Sequence, residues 1–522
     1  MGAHEPAAFN LATWLVDRHV AEGRGERVAI RCEGRSTTYA QLQREVWRAQ
    51  SLLTEVGVSP GDRVAMVVQD DEAFPAFFLG AQRAGMVAVP LSTMLRGPSL
   101  GDIVADAGAV ALVVSDTFAG TVPDIAAASP QLRHVIVCGA AGAVTDLHTD
   151  VTVLAWNDAA PAADVPAVAS TTASPAFWLY SSGTTGIPKG VMHRHGSPRA
   201  TYETYARAVL QVAPDDRFLS VAKLFFAYGL GNSLTFPFAV GGTAILHPAP
   251  PTPASMAALV AQEEPTLFFS SPGFCAAMLD HAVEPAAFGS LRASVTAGES
   301  LPANVQIRFA ELTGRPVLDG IGSTELLHIF ISNTLDRQEP GSSGWVVPGY
   351  EAELRDDGGN VVDAPDTPGF LYVRGDSAAT GYWQRSDATS SAFTDGWVRT
   401  GDVYVRSDGD HWTFLGRNND MIKAGGIWVS PAEVEAALVE HETVREAAVV
   451  GDRDEHGLET VVAFVVPASG ATPDGAVLAQ HCRDRLASFK RPRRVIVVDE
   501  LPKTATGKIR RFELRESLEH QS

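Results

Sequence analysis

The sequence predicts an α/β protein built in two parts. A large N-terminal domain of several subdomains carries parallel-rich sheets covered by helices, and a small α+β domain follows it. Three observations predict this. Up to about residue 400, short β-branched runs alternate with helical patterns, as in parallel sheets covered by helices. The pattern changes after the polar stretch Arg417-Asn-Asn-Asp420, which divides residues 1–417 from 418–522. A glycine- and hydroxyl-rich turn follows the apolar run Ala176-Phe-Trp-Leu-Tyr180, the end of a strand at which α/β proteins bind ligands. A length of 522 residues suits two to four domains.

Each element has a local reason. Thr38 and Gln41 form a capping box for a helix running to about residue 53. Residues 64–68 read as a buried strand, 74–84 as a helix and 86–90 as extended chain. Residues 111–114 and 134–138 are further apolar strands. Residues 158–176, rich in Ala, Pro, Ser and Thr, are a connector. Beyond the divide, Ser430 and Glu433 make a second capping box, with Pro431 suited to the first helical turn. Strands near 445–451, 460–467 and 494–498 and a helix near 474–487 complete the small domain. There is no internal repeat.

Composition narrows the function classes. A net charge of −20 opposes nucleic acid as the main partner, because no positive field collects phosphates. No run approaches the roughly 20 apolar residues of a membrane span. No secretory signal is seen at the start, so a cytoplasmic protein is expected, as a monomer or homodimer. Cys32, Cys138, Cys275 and Cys482 lack metal-like spacing and read as free thiols. Cys482 shares an i, i+4 stripe with Leu478 and Leu486 and reads as core. Lys490, Arg491, Arg493 and Arg494 read as the solvated start of a strand, with a phosphate anchor as the alternative. His193 and His195 mimic a metal pair but lack a third ligand, so they read as helix-start and packing residues.

The turn after residue 180 reads Tyr-Ser-Ser-Gly-Thr-Thr-Gly-Ile-Pro-Lys-Gly, ending at Gly190. Gly183, Gly186 and Gly190 let backbone N–H groups approach an anion. Ser181, Ser182, Thr184 and Thr185 add hydroxyl donors and Lys189 adds a positive charge. This is a phosphate cradle by composition. It differs from the P-loop, because Ile187 and Pro188 separate the last cradle glycine from the lysine.

Further motifs follow in order: Ala297-Gly-Glu-Ser-Leu-Pro302, Leu318-Asp-Gly-Ile-Gly-Ser-Thr-Glu325, Trp397-Val-Arg-Thr-Gly-Asp402, Gly416 to Gly426, and Pro502-Lys-Thr-Ala-Thr-Gly-Lys508. Taken singly, each reads as a turn, a helix start or a solvated lysine. As an ordered set they resemble the adenylate-forming superfamily of acyl-CoA synthetases, adenylation domains and luciferases, from roughly residue 25 to 515.

That resemblance implies a two-step reaction using ATP, Mg²⁺ and coenzyme A. A carboxylate attacks the α-phosphate of ATP, and a thiol then displaces AMP. By the same resemblance, Ser181, Ser182, Gly183, Thr184, Thr185, Gly186 and Lys189 hold the β- and γ-phosphates. Thr324 touches the α-phosphate and Glu325 binds Mg²⁺. Asp402 and Arg417 bind the ribose, and Gly298, Glu299, Ser300, Asp319 and Gly320 line the adenine slot. Where the family commonly has an aromatic, this chain has Ile321. Lys508 offsets charge at the reacting centre, on a C-terminal domain that is mobile in the family. Lys423, Gly425 and Gly426 line the thiol tunnel, and Asn419 stands at the hinge, where Asp is common.

The acyl pocket is expected between Lys223-Leu-Phe-Phe-Ala-Tyr-Gly-Leu-Gly231 and Leu326-Leu-His-Ile-Phe330. Aromatics, Ala227 and glycines suit a short flat slot, which favours an aromatic ring. The first segment has no Asp to pair an amino acid's amine. These segments resemble benzoate-type CoA ligases, which implies ring or carboxylate contacts from Ala227, Tyr228, Ala297, Gly322, His328 and Ile329. His328 also fits a buried structural role, and Phe225 reads as core. A stand-alone enzyme loading a carrier-protein thiol shares almost every motif.

Overall fold

In the computed structural model, described for residues 8–145, 147, 150–182, 188–281, 283–424, 427–453, 459–503 and 509–519, two large sheets dominate the N-terminal part. The first has seven strands in the order Thr152–Ala155, His134–Cys138, Ala109–Ser115, Arg63–Val67, Val87–Pro90, Pro175–Ser182 and Pro188–Arg194. Every pairing is parallel except the last, an antiparallel hairpin at the sheet's edge. The second sheet has nine strands. Its centre, Val317–Gly322, Ala293–Thr296, Leu267–Ser270, Arg217–Ser220, Thr243–Leu246 and Val28–Cys32, is parallel. Antiparallel strands close both ends.

The helices form where the sequence places them. Thr38 Oγ1 accepts the Gln41 N–H while the Gln41 side chain accepts the Thr38 N–H, and the capped helix runs Tyr39–Glu55. Leu42, Val46, Ala49 and Leu53 are buried on one stripe of it, at the spacing of a single helical face. Burying each large aliphatic side chain is worth roughly 1.5–3 kcal/mol. That face packs against Ala73–Arg83, the helix expected at 74–84.

One region departs from the expected strand–helix alternation. Between residues 351 and 417 the chain forms a five-stranded, wholly antiparallel sheet: Glu351–Arg355, Gly369–Arg374, Trp397–Arg406, Phe393–Thr394 and Trp412–Arg417. Its strands mix charged and aromatic residues, with Arg355 above Tyr372 and Arg374 above Trp397. Glu351–Arg355 alternates polar and apolar residues, the pattern of an antiparallel strand with one solvated face.

The C-terminal part follows the expected α+β order: Pro431–Val439, Val444–Arg453, Glu459–Pro467, Gly475–Arg485 and Arg494–Val497, then a terminal helix Arg511–Glu519. Ser430 Oγ accepts the Glu433 N–H, so half of the expected capping box forms. The Glu433 carboxylate turns instead to Lys490 at 2.7 Å. Cys482 is fully buried with Leu478 in this unit's core. Asn304 Nδ2 donates to Val439 O at 3.4 Å, a direct contact between the two parts.

Candidate active site

The phosphate-cradle motif spans the edge hairpin of the seven-stranded sheet. Tyr180 pairs with Gly190, Ser181 with Lys189 and Ser182 with Pro188, so both serines and the lysine belong to strands. Gly183, Thr184, Thr185 and Gly186 lie outside the described residues, as does the Ser182 side chain. The base of the hairpin is pinned. The Tyr180 hydroxyl donates to Asp106 Oδ2 at 2.7 Å, and Arg385 donates to Asp106 Oδ1 at 2.6 Å. Gly190 lies under the Tyr180 ring, where a Cβ would stand 3.1 Å from Cζ, so a side chain there would push the ring away.

The Thr324–Glu325 motif forms a turn between Val317–Gly322 and Ile329–Ser332, where an isolated reading suggested a helix start. Leu327 in this turn has φ +67°, a left-handed conformation costly for a side-chain-bearing residue. His193 reaches the turn from the lysine strand, donating from Nε2 to Thr324 O at 2.8 Å. Burial pushes His193 down to about 4, so the ring is neutral at pH 7. Its ring stacks on Phe177 at 5.2 Å. His195 Nδ1 accepts the Leu11 N–H at 3.0 Å. Both histidines pack as the sequence suggests, and no cluster of three or more His, Cys, Asp or Glu gathers among the described residues.

Glu325 Oε1 accepts the Tyr382 hydroxyl at 2.8 Å, and Glu325 O accepts the Ala379 N–H at 2.8 Å. The same Tyr382 ring faces Lys189, whose Nζ lies 5.2 Å from the centroid. Lys189 and Glu325 are thus brought together on one side chain. Tyr382 and Asp106 were missed by sequence reasoning. The aromatic pair Tyr382-Trp383 after a glycine was the available signal for the first; Asp106, inside an ordinary helix, gave none.

Asp402 and Arg417 face each other across antiparallel strands, with Nε 3.1 Å from Oδ1. Asp402 is buried inside a strand and not in a turn; Gly401, at φ +80°, supplies the kink expected before it. Asp402 is the main cause that holds Arg417 above its ordinary value, and Glu325 adds to it. Gly298, Glu299 and Ser300 follow the strand Ala293–Thr296, while Asp319 and Gly320 lie in the neighbouring strand Val317–Gly322. Thr296 Oγ1 donates to Asp319 Oδ1 at 2.9 Å.

Of the residues expected at the acyl pocket, Tyr228, Ala297 and Ile329 share one apolar cluster. Ala227 and Tyr228 open the short helix Ala227–Leu230, and the Tyr228 hydroxyl donates to Val295 O at 3.1 Å. His328 is buried among the rings of Tyr205, Tyr228 and Phe236. Its Nε2 bonds Asn232 Oδ1 at 3.1 Å, and burial lowers it to about 3. Two glycines clamp this residue. A Cβ on Gly231 would meet His328 Cδ2 at 2.3 Å, and one on Gly322 would meet His328 O at 2.6 Å. Ala297 and Ile329 are buried in the adjoining core, and Phe225 is core as expected. Lys223, at the head of the first segment, is tied to Ala249 O at 2.9 Å.

In the C-terminal part, Lys508, Gly425, Gly426 and the Lys423 side chain lie outside the described residues. The Asn419 carbonyl accepts Arg515 at 3.4 Å. Its neighbour Asp420 holds the charged contacts, 2.6 Å to Arg515 and 3.9 Å to Arg511. The basic cluster is largely paired: Lys490 with Glu433, Arg494 with Asp452, and Arg491 with the Leu486 carbonyl. These contacts match the start of a strand.

The parallel-rich α/β sheets, the edge hairpin that carries Lys189, the Thr324–Glu325 turn and the Asp402–Arg417 pair are those of a nucleotide-activating class of protein, as family comparison shows. Residues 17–383 match the AMP-binding enzyme family and residues 433–508 match the AMP-binding enzyme C-terminal domain. The chain belongs to the AMP-binding enzyme family. It is 40% identical over 515 residues to the benzoate–CoA ligase of Thauera aromatica, covering 98% of this chain and 96% of that protein. It is 40% identical over 517 residues to the 4-hydroxybenzoate–CoA/benzoate–CoA ligase of Rhodopseudomonas palustris, covering 97% and 94%. The crystal structure of a benzoate CoA ligase from Burkholderia xenovorans superposes with a TM-score of 0.88 at 40% identity, covering 97% of this chain and 100% of that one.

One site residue has a titration that can be read from stability. Burial pushes the Asp319 carboxyl up to about 8, against an ordinary value of 3.8. Between those values the unfolded chain has lost a proton that the folded chain keeps, so this group's contribution falls as pH rises from about 4 to about 8. Asp319→Asn lacks that loss. Its melting temperature, measured relative to the unsubstituted protein, is expected to climb with pH across the window. A flat or falling difference would mean that Asp319 is ionised in the native state.

Proposed function

We propose that the chain activates an aromatic carboxylic acid, benzoate or a substituted benzoate, and delivers it to coenzyme A. In the first step a carboxylate oxygen attacks the α-phosphorus of ATP. The bond to the bridging oxygen breaks, pyrophosphate leaves, and an aryl-adenylate forms. In the second step the thiol sulfur attacks the acyl carbon, the thiol proton is lost, and AMP departs to leave the thioester. The single observation that carries the aromatic reading is the gathering of Tyr228 and the neutral His328, with ring centroids 5.4 Å apart, in the segments next to Ala227 and the Thr324–Glu325 turn.

The roles follow from the chemistry of each group. Phosphoryl transfer needs positioning and charge neutralisation more than covalent help. Ser181 to Gly186 and Lys189 are assigned to the outer phosphates and Thr324 to the α-phosphate. Asp402, with two acceptor oxygens steadied by Arg417, suits the ribose hydroxyls. Gly298, Glu299, Ser300, Asp319 and Gly320 are assigned to the adenine. Glu325 is assigned to Mg²⁺. A lone carboxylate fits an ion that arrives on a polyphosphate, since Mg²⁺ is usually held by one or two carboxylates plus substrate phosphates. When bound, the ion would neutralise charge on the phosphates.

Lys508 is assigned to the reacting centre during the first step. The domain boundary is placed at residue 417, with Asn419 as the pivot and Lys423, Gly425 and Gly426 beside the thiol in the second step. Three experiments test this reading. A panel of benzoates, hydroxybenzoates, aminobenzoates and short fatty acids is assayed for CoA-dependent AMP release, with an aromatic acid expected to lead; a preference for an aliphatic acid, or for a carrier-protein thiol over coenzyme A, overturns it. Lys508→Ala is expected to lower ATP–pyrophosphate exchange by on the order of 10²–10³, while thioester formation from supplied aryl-adenylate persists. Normal exchange would remove Lys508 from the first step. Asn419→Pro is expected to spare one half-reaction and stop the other, and retention of both would put the pivot elsewhere.

A further inference from the structure

Residues 379–383 lie against the lysine strand as a partner ribbon. Thr380 N–H donates to Met192 O at 2.9 Å, Met192 N–H to Gly381 O at 3.0 Å, and Trp383 N–H to Gly190 O at 2.8 Å. Val191 and Tyr382 sit opposite each other as an antiparallel bridge. The Tyr382 N–H donates to Thr389 Oγ1 at 3.0 Å, and the ring meets Phe393 edge-on at 5.5 Å. Just before the tyrosine, Ala379 N–H holds Glu325 O and Ser377 Oγ holds Leu326 O, each at 2.8 Å. The ribbon is therefore fixed on one side to the strand of Lys189 and on the other to the turn of Glu325.

Tyr382 sits where these attachments meet. Its hydroxyl donates to Glu325 Oε1 at 2.8 Å and its face lies 5.2 Å from Lys189 Nζ. Among the described residues no ion pair joins Lys189 to Glu325. A carboxylate and an ammonium this close to one phenol attract each other, and a direct pair would have to break before a metal and a polyphosphate could bind. The phenol meets the carboxylate with a neutral donor and the ammonium with the negative face of its ring.

We propose that Tyr382 is a positioning residue that holds Lys189 and Glu325 apart and aimed, its hydroxyl setting the carboxylate for a phosphate-borne divalent cation and its ring setting the ammonium for the phosphates. This rests on the roles given to Lys189 and Glu325 under Proposed function. The two ends of the side chain then separate by experiment. Tyr382→Phe keeps the ring and loses the hydroxyl; Tyr382→Leu loses both.

The test is calorimetric titration of ATP into acid-free enzyme, with Mg²⁺ and again with a chelator, alongside Glu325→Gln. Tyr382→Phe is expected to bind ATP roughly ten-fold more weakly with Mg²⁺ present, the scale of one hydrogen bond to a charged group, and unchanged without it. Tyr382→Leu is expected to weaken binding in both conditions. Equal loss with and without Mg²⁺ in Tyr382→Phe, or no loss at all, overturns the proposal. If Glu325→Gln abolishes the Mg²⁺ enhancement while Tyr382→Phe behaves as the parent, Tyr382 falls and the Glu325 role stands. If Glu325→Gln keeps the full enhancement, the metal reading falls and takes the proposal with it. Unaltered circular dichroism and melting temperature in Tyr382→Phe separate these outcomes from misfolding.

Discussion

The strand Pro188–Arg194 lies at the edge of the seven-stranded sheet, yet both of its backbone edges are occupied. Pro175–Ser182 pairs with one side, and residues 380–383 cover the other. An edge strand usually presents a row of unpaired amides and carbonyls. Here those groups fix the positions of three side chains at once. His193 and the ribbon's Tyr382 both bond to the Thr324–Glu325 turn, which belongs to the other large sheet, and Lys189 faces the Tyr382 ring. The two sheets are joined at the site through hydrogen bonds of this strand and its ribbon, and the turn's strained Leu327 is tolerated within that frame.

Burial sets the charge state of much of what surrounds the site. His193 and His328 are neutral and Asp319 retains its proton at pH 7, each because desolvation outweighs the hydrogen bonds that favour the charged form. Lys189, Glu325, Asp402 and Arg417 are among the charged side chains at the candidate site. Each of these has a partner across a short gap: a ring face, a phenol, or one another. A low-dielectric wall around a few paired charges is the setting in which electrostatic aim is most effective.

Much of this was legible in the sequence. The capping box at Thr38 and Gln41, the apolar strands of the first sheet and the order of the small domain follow from local periodicity and cap chemistry. The site was legible as an ordered set of motifs, because loops that bind phosphate and ribose need glycine, hydroxyls and acids within a few residues. What sequence did not disclose depends on contacts far apart in the chain. Tyr382 meets Glu325 across 57 positions, and Arg385 meets Asp106 across 279. The antiparallel sheet between 351 and 417 also went unread, although Glu351–Arg355 alternates polar and apolar residues and Gly369–Arg374 alternates buried and partly exposed ones. Asp420 was overlooked beside Asn419 because its two arginines arrive from the terminal helix.

The clamp around His328 bears on how this pocket could be reshaped by laboratory evolution. Gly231 lies against the ring and Gly322 against the backbone of the same residue, and the ring's Nε2 is committed to Asn232. Single substitutions at Gly231 or Gly322 therefore collide before they can alter selectivity. Change at this end of the sheet would be channelled away from the two glycines, and the histidine would remain a fixed reference.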